Sequence, residues 1–190
     1  MNNGLKAGLV LLILGIICGT LLATVNYLTA DYIAANEAGA QFNALKEFYF
    51  DVEDDNYDSY ELTDLYGLEK RDLEDDTVDS IFILRNKDNN DIEALGYLVS
   101  ANGYSGDAPI QMLIVVNSDM TIQGYSVVSH KETTGFGADI VSNDFNIDII
   151  SDLSGFDSVS GVTFTSDGIL ECFNIVSQRA NGDFGGGLDD

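Results

Sequence analysis

From Leu5 to Leu28 the chain is almost wholly apolar, with Leu9 to Leu14 unbroken and Lys6 the single charge inside the run. In a helix that rises about 1.5 Å per residue, about 20 such residues cross a hydrocarbon core of about 30 Å. Within 190 residues, such a run sets aside one membrane anchor and leaves chain for one modest domain. A cleaved signal peptide is the rival reading. The run is longer than a usual signal core, and no small-x-small cleavage site follows it. A lipoprotein site at Cys18 meets a bulky Ile16 where a small residue is expected. Lys6 and the terminal amine precede the span, and Asp31 and Glu37 follow it. The positive-inside bias therefore predicts a cytoplasmic N-terminus and an extracytoplasmic remainder, on the inner membrane of a cell.

Charge narrows the partners. A formal net charge of −24 argues against a nucleic-acid partner, which needs a basic stripe to release counterions. It also disfavours docking on anionic lipid head groups. Acidity concentrates between Asp51 and Asp79, opposed there by Lys70 and Arg71. That stretch reads as a solvated, self-repelling surface. Asp51-Val52-Glu53-Asp54-Asp55 lacks the glycine and closing glutamate of a calcium loop. No Cys-x-x-Cys supports a zinc or iron–sulfur site, and the single histidine, His130, rules out a His-rich metal centre. The expected metal is none.

Periodicity organises the rest. Apolar spacing predicts a helix over 29–49, then a loop-like acidic region over 51–79 with a short helical piece near 60–68. Strands are expected at 80–84, 92–99, 110–116 and 121–129, separated by polar turns at 86–91 and 117–120. Helical spacing returns over 169–176. Antiparallel hairpins followed by a packing helix predict an α+β domain with helices against one face of the sheet. The expected division is an anchor over 1–28, a connecting region over 29–79, a domain over 80–179 and a disordered tail over 180–190.

Two short stretches carry the chemistry. Asp157-Ser158-Val159-Ser160-Gly161-Val162-Thr163-Phe164-Thr165-Ser166 sets five hydroxyls and a glycine at the start of a helical pattern. Free backbone N–H groups and the positive end of the helix dipole make such a start a seat for phosphate. The plainer reading is an ordinary loop and helix cap. The second stretch is His130-Lys131-Glu132-Thr133-Thr134-Gly135-Phe136-Gly137. Two glycines around an aromatic permit close approach of backbone to a planar ligand, and Thr and Glu offer hydrogen bonds to its polar edge. Here the plainer reading is a polar turn. Histidine is a common general base, which makes His130 a candidate for that role, but a brace for the loop is the favoured one.

The first stretch resembles the flavinylation motif Asp-x-x-Ser/Thr-Gly-Ala-Thr of the FMN-binding domain found in the G subunit of Rnf complexes and the C subunit of Na⁺-translocating quinone reductases. Val162 stands where that family usually has alanine. The second stretch resembles its His-x-Glu-Thr-Pro-Gly-Leu-Gly segment, with Thr134 for proline and Phe136 for leucine. Gly103-Tyr104-Ser105-Gly106 is similar to its Gly-Tyr-Gly-Gly segment, in which Tyr104 is expected to serve the fold rather than the site.

The resemblance implies a single N-terminal transmembrane helix followed by an antiparallel-sheet FMN-binding domain with packing helices. It implies FMN joined by a phosphoester to Thr163, with Glu132, Thr133, Thr134, Gly135, Phe136, Ser160, Gly161, Val162, Thr165 and Ser166 around it. Thr165 and Ser166 are expected to cap the helix and touch phosphate oxygens. Threonine is a poor nucleophile alone, so a flavin transferase is implied, with Asp157 as its recognition residue. The implied role is electron transfer beside other membrane subunits of an Rnf-type ion-translocating complex. A free-standing anchored flavoprotein acting as shuttle or reductase is the alternative, and an anchored binding module with a decayed motif is a third reading.

Overall fold

A computed structural model describes residues 3–49, 68–73, 77–86, 89–106, 108–135, 137–140 and 144–188. The chain divides into two compact units, 1–38 and 39–190. The first holds most of a long helix, α1 (Asn3–Tyr49). Within it, Lys6–Ala30 has 25 residues and includes an 18-residue stretch of mean hydropathy 2.6, long and apolar enough to cross a membrane. Its large side chains from Leu9 to Leu28 are exposed, as those of a span facing lipid would be. Thr20, Thr24 and Thr29 return their hydroxyls to backbone carbonyls within the helix, which spares each a bare polar group in an apolar setting.

The second unit is built on a five-stranded antiparallel meander, in the order β1-β2-β3-β4-β5. The strands are β1 (Leu68–Asp72), β2 (Val78–Arg85), β3 (Ile92–Ala101), β4 (Ile110–Asn117) and β5 (Ile122–Ser129). The four expected strands and both turns are present. The strand at 68–72 corrects the loop-like reading of that segment. Its residues Leu68-Glu69-Lys70-Arg71-Asp72 bury little beyond Leu68, so apolar alternation could not reveal an edge strand held chiefly by pairing with β2. Of the acidic stretch 51–79, residues 51–67 and 74–76 lie outside the described residues, as does the short helix expected near 60–68 up to its last residue, Leu68, which opens β1.

Both faces of the sheet are apolar, because β3 and β4 alternate one large residue against another. Ile81, Ile83, Leu95, Tyr97, Met112 and Ile114 point to a core shared with Ile169, Cys172, Phe173 and Val176. Those four lie on one face of the final helix, α3 (Thr163–Gly182). Phe82, Leu98, Leu113 and Val115 point to the opposite face, where Ala44 and Leu45 from the end of α1 pack. The end of α1 thus reaches the face opposite α3, where the sequence predicted helices on one face only. A near-continuous apolar strand such as β3 is the pattern a two-sided sheet requires.

The expected disordered tail is also corrected. Helix α3 runs to Gly182 and passes into a π-helical turn, Asp183–Gly187. Asp183 is buried and accepts hydrogen bonds from the Tyr97 hydroxyl and from Arg179, each at 3.1 Å. Leu188 is buried too, and its carbonyl accepts from Arg71 on β1. Glycine-rich composition signals disorder only where nothing nearby satisfies the backbone and the flanking side chains.

Candidate functional site

The site forms where three connections meet at one end of the sheet: β3 to β4, β5 to the short helix α2 (Gly137–Ile140), and the long approach to α3. That approach is pinned before it reaches the hydroxyl-rich strip. Phe145, Ile147 and Ile150 are buried, and Phe156 stacks on Phe145 with ring centroids 5.2 Å apart. Ile122 donates to Asp148 and Ile150 donates to Met120, so the segment also runs along the free edge of β5 and covers part of it. Tyr125 on that strand accepts from the Phe145 amide at 2.7 Å and donates to Asp144. Burial raises its hydroxyl above the ordinary range, against the pull of that amide.

The chain then turns through Val159 to Val162, with the Val162 amide donating to the Val159 carbonyl. Gly161 has φ +91 there, a conformation that a residue with a Cβ adopts only under strain. Helix α3 follows at once, with Thr163 as its first residue and Val162 at the N-cap position. No side chain caps this helix start among the described residues. A valine cannot do so, and the first-turn N–H groups have no acceptor inside a helix. Such groups suit water or an anion.

Thr165 and Ser166, expected as caps, sit inside the first turn and face inward. Both are buried. Ser166 donates to the Val162 carbonyl at 3.1 Å and accepts from the Val159 amide at 3.3 Å. Thr165 donates to Glu132 Oε2 at 2.6 Å. Their hydroxyls therefore shape the turn from beneath, because chain direction into a helix puts its third and fourth residues against the body when the first two face solvent.

A pocket of about 520 Å³ opens at this helix start, lined by Tyr104, Glu132, Thr133, Gly137, Gly161, Val162, Thr163, Phe164 and Thr165. Its size falls within the range of small-molecule and cofactor sites, about 300–1,000 Å³. Tyr104 and Phe164 stand at its wall with ring centroids 6.3 Å apart, tilted by 51°. They are 69% and 68% exposed, so two aromatic faces are available to a planar guest. A second hollow of about 400 Å³ lies across Gly161 and Val162, lined also by Gly135, Asp139, Ile140, Val159 and Ser160.

The expected site residues are thus divided. Glu132, Thr133, Gly161, Val162, Thr163 and Thr165 line the first pocket, while Gly135 and Ser160 line the hollow beside it. Thr134 is exposed and Ser166 is internal, and neither lines these two cavities. Asp157 is exposed outside both. Phe136 lies outside the described residues. His130 accepts from the Glu132 amide at 3.3 Å, the bracing role favoured for it. Phe164 was passed over in the sequence, and Tyr104, expected to serve the fold, also lines the pocket. An aromatic immediately after Thr163, and another in a glycine-rich loop, were the available signals.

A phosphate fits the uncapped helix start, and a planar ring system fits the aromatic wall. The arrangement defines a cofactor-binding α+β domain behind a potential membrane span. Comparison with known proteins agrees. Residues 103–177 match the family model for the FMN-binding domain, and residues 1–48 match that for the RnfG N-terminal region. The chain is similar to a protein of Methanosarcina acetivorans named as the G subunit of an ion-translocating oxidoreductase complex. The two are 32% identical over 91 residues, covering 42% of this chain and 48% of that protein. The match spans about half of the relative's length.

Proposed function

We propose that this chain is a membrane-anchored electron-transfer subunit of an Rnf-type ion-translocating complex and carries FMN as a phosphoester on Thr163. The observation that carries the reading is the helix start: Thr163 is its exposed first residue, its N-cap is an apolar Val162, and both border a pocket with two exposed aromatic rings. The domain fold and the family support FMN as the cofactor. The covalent link is our own step.

FMN supplies the redox chemistry when bound; the chain supplies attachment, orientation and shielding. The N–H groups at the start of α3 would hold phosphate oxygens. Tyr104 and Phe164 would offer aromatic faces to the ring, and Thr133 would offer it a hydrogen-bonding hydroxyl. An acidic domain repels a free phosphate dianion, so an ester at Thr163 removes the dissociation that repulsion would promote. Threonine needs an outside catalyst for that bond. We assign the bond to a flavin transferase that recognises exposed Asp157 and reaches Thr163 past Val162.

The span at Lys6–Ala30, with Lys6 at its N-terminal end, supports an N-terminus in the cytoplasm and an extracytoplasmic flavin domain. One span is too little membrane to move ions alone, so neighbouring membrane subunits carry that task.

The test is intact mass after expression with a flavin transferase, beside Thr163→Ala. A gain of one FMN less one water, absent from the variant, establishes the carrier; unmodified mass in both removes the reading. Co-purification with multi-span partners then separates the complex subunit from a free-standing shuttle or reductase.

A further inference from the structure

Glu132 is a carboxylate in an uncommon position. It is 6% exposed, beneath the pocket rather than within easy reach of solvent. Its Oε1 accepts from the Ser105 amide at 3.1 Å, and its Oε2 accepts from the Thr165 hydroxyl at 2.6 Å. Each oxygen is thus held by a different connection of the fold. The glycines around it are tight: a Cβ on Gly103 would stand 2.5 Å from Oε1, and one on Gly137 would stand 2.6 Å from Oε2. Three chain segments have closed on one side chain, and only glycine leaves room for the closure.

Those segments carry the pocket. Ser105 follows Tyr104, and Thr165 follows Phe164 and Thr163 by one and two residues. A carboxylate bonded to both neighbours ties the backbone that carries Tyr104 to the helix start that carries Thr163 and Phe164. Hydrogen bonds to a charged acceptor are shorter and stronger than neutral ones, and burial shields them from competing water.

We propose that Glu132 is a positioning residue: a buried carboxylate clamp that joins the Tyr104 loop to the Thr163 helix start and thereby sets how the flavin ring lies. This deepens the FMN reading and rests on it. It differs from the direct hydrogen bond to a planar ligand's polar edge that the sequence suggested. Glu132 acts through Ser105 and Thr165.

The test uses the full chain expressed with a flavin transferase, as wild type, Glu132→Gln, Thr165→Val and Thr165→Ser. Gln has one accepting oxygen, so at least one of the two bonds is lost. Valine removes the donor and keeps the volume; serine keeps the donor. Intact mass reads loading. Visible circular dichroism and flavin fluorescence anisotropy read ring placement, which an effect on folding alone would leave intact in loaded, folded protein. Amide exchange at Ser105 reads the clamp without any flavin.

In loaded E132Q and T165V we expect the visible dichroism to collapse toward that of free FMN and the anisotropy to fall, with T165S close to wild type. Ser105 exchange in E132Q should rise about tenfold or more while amides of the central strands hold. Loss of loading in E132Q and T165V, kept in T165S, supports the clamp equally. Wild-type dichroism and anisotropy in both variants overturn it, as does loss of loading in all three. If wild type takes no flavin, the FMN reading falls. The clamp is then judged on Ser105 exchange: acceleration sustains it and no change overturns it.

Discussion

Thr165 donates its hydroxyl to Glu132 Oε2 at 2.6 Å across 33 residues of chain. That bond ties the start of the last helix to the loop after the last strand, and the pocket at Thr163 lies directly above it.

Removing the aromatic wall should loosen the ring without abolishing its attachment. Tyr104→Ala and Phe164→Ala are each expected to keep flavin loading and to raise flavin fluorescence, since a stacked aromatic quenches it. An aromatic pair contributes about 0.5–1.5 kcal/mol beyond simple burial. Fluorescence yield beside intact mass checks this, and unchanged yield in both variants would place the ring elsewhere.

Gly168 lies on α3 where the helix meets the β3–β4 loop, and a Cβ there would stand 2.7 Å from the Asn102 carbonyl oxygen. The obstacle is backbone, so no side chain can rotate away. Gly168→Ala should destabilise the domain by about 1–3 kcal/mol despite alanine's better helix propensity. A denaturant melt with wild-type stability would contradict the packing described.

Tyr97→Phe tests the ordered C-terminal turn. It removes one donor to buried Asp183 and leaves Arg179 as the other. The expected loss is about 1 kcal/mol, accompanied by faster amide exchange over 183–188. Exchange unchanged in that segment would show that the turn does not depend on the bond.

Burial, the largest cause, pushes the Cys172 thiol up to about 12 in the folded domain, with Glu171 adding to it. The unfolded thiol titrates near about 8.5. A folded value raised above the unfolded one gives stability that is full below about pH 8.5 and lost as pH rises toward about 12. The stability gap between wild type and Cys172→Ala should therefore shrink between about pH 9 and 11. At pH 8, native Cys172 should resist alkylation, as peptide mapping would read.

On the acid side, the Asn146 amide and the Tyr125 hydroxyl hold Asp144 below the ordinary carboxylate range. A depressed folded value gives stability present above the unfolded value of about 3.9 and lost as pH falls through the lower folded one. Amide exchange at Asn146 should accelerate over that fall, and Asp144→Asn should remove the pH dependence. A wild-type profile in the variant would assign it to another group.

Much of the fold is legible along the chain. An 18-residue stretch of mean hydropathy 2.6 within Lys6–Ala30 declares a potential span because span length depends on composition and rise alone. The strands from Ile92 to Ala101 and from Ile110 to Asn117 announce themselves through β-branched and aromatic content, and Asn117-Ser118-Asp119-Met120 marks the turn between hairpin arms. Thr163 stands out because hydroxyls, glycine and helical spacing are all local properties, and a helix start is a local event. What tertiary contact decided is of another kind. Leu68–Asp72 became a strand only because β2 offered its edge, and Asp183–Gly187 became ordered only because Tyr97 and Arg179 stood ready to hold Asp183. Glu132 turned inward because Ser105 and Thr165, far away in sequence, met it from two sides. Tyr104 joined the pocket wall because that same closure brought its loop beside Phe164. A residue's neighbours in sequence set its backbone preferences, whereas its partners across the fold set which of its atoms remain free to act.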